Sequence, residues 1–246
     1  MEKTKEIVKV VNLHAGYTYP ILKGVNTIFY KNEIKFIMGE SGGGKSTLLK
    51  AIIGLVKVYQ GEIYINGENF LEASYEKRKN MLKRIGFMFQ SGALISSYPI
   101  WENVALPLII NTDFPIDLIK DIVYSKLKLV KLEKAFYKLP GELSGGMIKR
   151  AAIARAIIDE PEILFCDEPT AGLDPLTAAE LDDIILSLKE TLKIGIIIVS
   201  HEIESIIRIG DKILFLQKGK DVFDGTLKEA KEKGPEELKR YFELIK

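Results

Sequence analysis

The segment Gly39-Glu40-Ser41-Gly42-Gly43-Gly44-Lys45-Ser46 fits the spacing G-x-x-x-x-G-K-[ST]. It lies between the apolar run IKFIM (Ile34 to Met38), expected as a buried strand, and the helical pattern STLLKAIIGL. Between a strand and a helix, glycines let successive backbone N–H groups curl around phosphate oxygens, and the helix amino terminus adds the positive end of its dipole. In such a loop Lys45 can reach β- and γ-phosphates, the Ser46 hydroxyl can ligate Mg²⁺, and Thr47 lies near the α-phosphate.

The run ILFCDE supplies a complementary set: a strand buried in a sheet would deliver Asp167 and Glu168 at its carboxyl end, where open α/β sheets place their ligands. Asp167 is suited to hold Mg²⁺, directly or through water, and Glu168 to orient and activate an attacking water. His201 follows the strand pattern IGIIIVS, so it too is expected at a carboxyl edge, able to hydrogen-bond a γ-phosphate oxygen. Gln90 ends the strand pattern IGFMF and can ligate Mg²⁺ or the attacking water.

A third feature is LSGGMIKR, Leu143 to Arg150, where Ser144, Gly145 and Gly146 precede a strongly helical run. Glycine inside a helix costs about 1 kcal/mol relative to alanine, so the pair suggests that bare backbone must approach something closely.

These residues need a scaffold. IVKVVNL (Ile7 to Leu13) and VNTIFY (Val25 to Tyr30) alternate as strands do, and EIYINGENF carries an Asn66-Gly67 turn. From Ile100 to about Ile158 the periodicity is mostly helical. After it, ILFCDE, a helix near LTAAELDDIILSLKE, the strand IGIIIVSH, a helix from Glu202 and the strand KILFLQ restore the alternation of a parallel sheet, and a closing helix follows Pro235. The 246 residues are 47% hydrophobic and 28% charged, which suits a globular chain with a sizeable core. A formal net charge of +1 gives no reason to expect nucleic acid as a partner. The apolar runs are too short to span a bilayer, and MEKTKEIVKV lacks the apolar core of a signal peptide. The single cysteine, Cys166, permits no internal disulfide and sits where a buried core residue is expected.

Taken in order, GESGGGKST, Phe89-Gln90, LSGGM, ILFCDEP, AGLD (Ala171 to Asp174) and Ser200-His201 resemble the Walker A loop, Q-loop, signature, Walker B strand, D-loop and H-switch of ATP-binding-cassette ATPases. The resemblance covers nearly the whole chain. It implies an α/β fold with a P-loop core and a mixed or parallel sheet, an amino-terminal antiparallel β subdomain and an inserted helical subdomain. The implied organisation is one nucleotide-binding domain over residues 1–246, with the core in 1–90 and 160–246 and the helical subdomain in 91–159. It implies ATP hydrolysis with Mg²⁺ held by Ser46, Gln90 and Asp167, and a second copy of the chain packed head to tail. Ser144, Gly145 and Gly146 of one copy would then present hydroxyl and N–H groups to the γ-phosphate bound by the other, with Asp174 in the D-loop. Two positions depart from the family's pattern. Met147 stands where the signature usually has glutamine, and Ala15 precedes Gly16 where an adenine-stacking aromatic is usual, leaving Tyr17, ahead of Tyr19, as the base platform.

Within the family, Ser91-Gly92-Ala93-Leu94, the run WENVALPL and the LSGGM ending resemble the ATPases of Mla-type transporters. That implies integral-membrane permease subunits received by the segment after Gln90, an MCE-domain lipid-binding protein, phospholipid as cargo and a peripheral position on the cytoplasmic side of the inner membrane. ATPases for lipoprotein release or polar amino-acid uptake share the catalytic residues. Non-transport cassettes of chromosome structure or translation carry a coiled-coil insertion or a second cassette, neither of which this sequence contains.

Overall fold

The structure, a computed structural model, describes residues 5–243. In chain order the strands are β1 (Glu6–Gly16), β2 (Val25–Tyr30), β3 (Ile34–Gly39), β4 (Lys57–Ile65), β5 (Glu68–Asn69), β6 (Ile85–Met88), β7 (Ile163–Asp167), β8 (Gly195–Val199), β9 (Lys212–Gln217) and β10 (Lys220–Thr226). The helices are α1 (Lys45–Ile52), α2 (Tyr75–Leu82), α3 (Ile100–Asn111), α4 (Ile116–Leu129), α5 (Gly145–Ala156), α6 (Pro175–Leu192), α7 (Ile203–Ile209), α8 (Leu227–Lys233) and α9 (Glu236–Glu243).

Strands β9, β3, β8, β7 and β6 lie side by side in parallel, and β10 folds back antiparallel on β9. The larger sheet is therefore mixed, in the order β10-β9-β3-β8-β7-β6. Every residue of β3, β7 and β8 is buried, as continuous apolar runs must be when both faces of a sheet are covered. On one face Phe36, Met38, Leu164, Ile196 and Ile198 pack against the helical layer. On the other, Ile37, Phe165, Ile197 and Leu214 pack against the second sheet, β2-β1-β4-β5, which is antiparallel throughout. Two cores thus share one sheet as their common wall.

The Asn66-Gly67 turn has positive φ at both residues (49° and 79°) and joins β4 to β5, as a two-residue hairpin requires. The mostly helical stretch expected from Ile100 to about Ile158 holds α3, α4 and α5, with short 3₁₀ turns at Glu133–Ala135 and Pro140–Glu142 between α4 and α5. Pro140 and Gly141 interrupt the helical pattern there. Helix α2 escapes a periodicity reading because Met81 is its one buried residue. Its start is marked by Ser74, whose hydroxyl accepts from the Lys77 N–H at 3.4 Å. Cys166 is fully buried, and burial pushes its thiol up to about 12, so it stays protonated.

Candidate functional site

The parallel strands all point the same way, so the loop after β3, His201 after β8, Asp167 and Glu168 at the end of β7, and Gln90 after β6 emerge along one edge. At about 4.8 Å per strand, that edge runs roughly 14 Å from the glycine-rich loop to Gln90.

In the loop, Gly39, Gly43 and Gly44 are buried while Glu40, Ser41 and Gly42 are exposed. Gly44 caps α1 with φ of 99°, and a Cβ there would meet Leu22 Cδ2 at 2.6 Å, so only glycine fits. Lys45 Nζ lies across the loop, donating to the carbonyls of Gly39 and Glu40 at 2.9 Å each. Burial lowers its pKa, and Glu168, Asp167 and Glu40 oppose that shift. Thr47 is buried on the first turn of α1. The backbone N–H groups of this turn have the geometry to receive an anion.

The Ser46 hydroxyl donates to Asp167 Oδ1 at 2.8 Å, although 121 residues separate the two. Hydroxyl and carboxylate are hard oxygen donors, the kind Mg²⁺ takes. Among the described residues no cluster of three or more acidic, histidine or cysteine side chains forms a cage of its own. Ser46 and Asp167 therefore fit an Mg²⁺ ion, and Gln90, on the same edge, carries a further amide oxygen of the kind that ion takes.

Glu168 is flanked on both sides: Gln90 Nε2 donates to its Oε2 at 3.3 Å, and His201 Nε2 lies 3.4 Å from its Oε1. Its backbone has φ of 51°, in the left-handed region. The Glu168 N–H donates to Val199 O at 2.9 Å, and its carbonyl accepts from the Ala171 N–H at 3.3 Å, which together hold that conformation. His201 is presented by the turn into α7, where Ser200 Oγ accepts from the Glu202 N–H at 3.0 Å.

Ser144 and Asp174 are the exposed N-caps of α5 and α6. Ser144 Oγ accepts a long hydrogen bond from the Met147 N–H at 3.4 Å, leaving its own hydrogen free to donate outward. Asp174 accepts from the N–H groups of Leu176 and Thr177 and from the Thr177 hydroxyl, contacts that lower its pKa. The glycine pair divides. Gly145 is exposed, with ordinary space around it, whereas Gly146 is buried and a Cβ there would meet Thr177 Cγ2 at 2.5 Å. The requirement at Gly146 is thus close packing of α5 on α6 within the chain. Met147 packs against the helical core.

Tyr17 and Tyr19 both project into solvent from the turn between Gly16 and Pro20. That turn leads into Ile21 and Leu22, which touch the phosphate loop at Gly44. The Tyr59 hydroxyl supports the Tyr17 carbonyl at 2.8 Å.

Three residues that sequence reasoning missed organise the site. Buried Asn103 exchanges hydrogen bonds with the Ile95 backbone (2.7 and 3.0 Å) and donates to Tyr98 O, pinning the loop after Gln90 onto α3. Arg155 donates to the carbonyls of Gly92 and Ala93 from the other side. Lys149 donates to the carbonyls of Gln90 and Glu168. A polar residue in an apolar helical run was the available clue for Asn103; for Lys149 and Arg155, side chains that usually point to solvent, there was none. Beside this loop lies a cleft of about 760 Å³ lined by Phe70, Phe87, Phe89, Pro107 and Arg155. It does not include the phosphate loop, and Phe89 connects it to Gln90.

The family described as "ABC transporter" matches residues 22–171. The intermembrane phospholipid transport system ATP-binding protein MlaF of Haemophilus influenzae is 40% identical over 206 residues, 84% of this chain and 78% of that protein. Its Escherichia coli (strain K12) counterpart is 37% identical over 90% of this chain and 82% of its own length. The methionine import ATP-binding protein MetN of Carboxydothermus hydrogenoformans is 38% identical over 85% of this chain and 64% of its own length. Among solved structures, the dimeric post-hydrolysis state of the ATP-binding cassette MJ0796 with ADP and phosphate superposes with a TM-score of 0.81 at 32% identity, covering 90% of this chain and 99% of that one.

Proposed function

Because the chain belongs to the ABC transporter family and is an ATP-hydrolysing transporter subunit, we propose that the transporter it drives moves phospholipid between membranes. The observation that carries this reading is the 40% identity to a phospholipid-transport ATPase along 84% of the chain. The run from Ser91 to Leu94 and the apolar Met147 support it.

In the reaction, the phosphate loop and Lys45 bind the triphosphate, and Ser46, Asp167 and Gln90 would hold Mg²⁺. When bound, that ion supplies neutralisation of phosphate charge. Glu168 takes a proton from the water that attacks the γ-phosphorus. The bond to the β–γ bridging oxygen breaks, and ADP leaves with that electron pair. Gln90 and His201, on either side of Glu168, orient it and sense the γ-phosphate. Tyr17 is the adenine platform, its backbone braced by Tyr59. Ser144, Gly145 and Gly146 close over ATP held by a second copy, with Asp174 in the D-loop beside them and the packing of Gly146 on Thr177 setting the surface from within.

The proposed division of the chain is one nucleotide-binding domain, with 91–159 as a helical subdomain inserted between core segments 1–90 and 160–246. The cleft beside Phe89 is the seat of the permease, because an occupant there presses on the residue before Gln90. No helix among the described residues is long and apolar enough to cross a membrane. The proposed place on the cytoplasmic face of the inner membrane rests on the likeness to the phospholipid-transport ATPases.

The similarity to a methionine importer favours amino-acid uptake as a second reading. Purifying the tagged chain with its membrane partners in mild detergent, then identifying proteins and lipids by mass spectrometry, separates the two. The expected result is a permease, an MCE-domain protein and bound phospholipid. An amino-acid permease without lipid would overturn the phospholipid reading and leave the ATPase intact.

A further inference from the structure

We propose that Lys149 is a positioning residue that ties the backbones of Gln90 and Glu168 to helix α5, so that the same helix serves two ATP sites. Its amino-terminal residues act on the partner's nucleotide, and Lys149 acts on the chain's own Glu168. The part concerning the partner's nucleotide rests on the function proposed above; the part concerning Glu168 stands on the contacts of this chain alone.

Lys149 lies in the second turn of α5 and is only 8% exposed. Its Nζ donates to the carbonyl of Gln90 and, at 3.3 Å, to that of Glu168. Burial lowers its pKa; the Glu168 and Asp167 carboxylates oppose that effect. Packing alone gives no reason for a cation here, since an apolar side chain of similar length would fill the space without desolvating a charge. What an ammonium group adds is several donors on one atom, able to hold two carbonyls from different loops at a fixed separation.

Those two loops carry the side chains that meet at Glu168, with Gln90 Nε2 at 3.3 Å from its Oε2. The left-handed Glu168 backbone, φ of 51°, persists only where its surroundings hold it, and Lys149 supplies one of the hydrogen bonds on its carbonyl. A movement of α5 that closes Ser144 over a partner's nucleotide therefore also moves the group that sets Glu168. Closure and the readiness of Glu168 become one event.

The test compares Lys149→Met with Lys149→Arg in the full chain, measuring kcat and KM for ATP hydrolysis. Loss of the two carbonyl contacts should lower kcat by about 10–100-fold with KM within about threefold, the cost of a small misplacement of a reacting group. Arg, which can also donate to two carbonyls, should recover most of it. A cycle with Glu168→Gln gives the second readout. If Lys149 acts through Glu168, adding Lys149→Met to Glu168→Gln causes no further fall in residual turnover. Should Lys149→Met not fold, Lys149→Gln takes its place in the same cycle.

Unchanged kcat in the Lys149 variant, or the same fold-loss in the presence and absence of the Glu168 carboxylate, overturns the proposal. The reading of the signature is tested separately: Ser144→Arg should abolish ATP-driven dimerisation of the Glu168→Gln protein. If dimerisation survives while the Lys149 cycle behaves as expected, the trans role of Ser144 is lost and the positioning role of Lys149 stands.

Discussion

Gly146 shows how a single hydrogen in place of a methyl group can set the spacing of two helices. Thr177 Cγ2 occupies the space a Cβ would need at 2.5 Å, and it cannot rotate away cheaply because the Thr177 hydroxyl donates to Asp174 Oδ2 at 2.6 Å. Gly146→Ala should therefore lower stability by about 1–3 kcal/mol, as forced overpacking does. Thr177→Ser removes the obstructing methyl and keeps the hydroxyl, so the double variant should recover most of the loss in urea denaturation. Gly145→Ala, with Leu173 at an ordinary 3.5 Å, should unfold at nearly the same urea concentration as the parent. If Gly146→Ala is as stable as Gly145→Ala, the packing argument is wrong. The sequence showed that a glycine pair was needed here. It did not show that the two glycines answer different demands, because one of the reasons lies 31 residues away on another helix.

Between elements, the seam of α6 and α7 joins the helix that starts at Asp174 to the helix that follows His201. Asp182 on α6 is 3% exposed, and burial raises its pKa from 3.8 to about 6. The Ser205 hydroxyl and Arg208 face it from α7 and pull the pKa down, while Asp183 and Glu202 push it up. The folded chain therefore holds this proton to higher pH than the unfolded chain. Stability from the protonated form is complete below the unfolded value and is lost as pH rises toward 6. At roughly 1.4 kcal/mol for each tenfold change in proton affinity, the ionised group costs about 2–3 kcal/mol above that range. Asp182→Asn should accordingly be more stable than the parent by about 1–3 kcal/mol at pH 8 and nearly equal to it at pH 4, measured by chemical denaturation. An equal gain at both pH values would exclude ionisation as the cause.

For the whole molecule, an ATP-driven clamp needs enough differential binding to shift a dimer from open to closed. Moving that equilibrium from 1:99 to 99:1 takes about 5.5 kcal/mol, shared between two nucleotides. Charge-assisted hydrogen bonds contribute about 1.5–3 kcal/mol each, so one or two net contacts per site would suffice for the proposed closure by Ser144 and nearby amides. Glu168→Gln should lower turnover by about 10²–10⁴-fold, the usual contribution of a general base, while ATP still binds and a dimer accumulates on size-exclusion chromatography. Full turnover in that variant would remove Glu168 from its proposed role.

What the sequence determined by itself was the chemistry that lies on contiguous backbone: a strand, a glycine loop and a helix starting at Lys45, an acid pair closing ILFCDE, a hairpin at Asn66-Gly67. Such features are local because spacing along the chain already fixes spacing in space. Tertiary structure decided the rest. The sheet order β3-β8-β7-β6 brought Ser46 to Asp167 and set Gln90 and His201 on either side of Glu168. It also brought Lys149 and Arg155 to backbone carbonyls 19 and 59 residues away for Lys149 and 62 and 63 residues away for Arg155. A backbone carbonyl is present at every position and carries no mark in the sequence, so a side chain bound to one becomes visible only once the chain is folded.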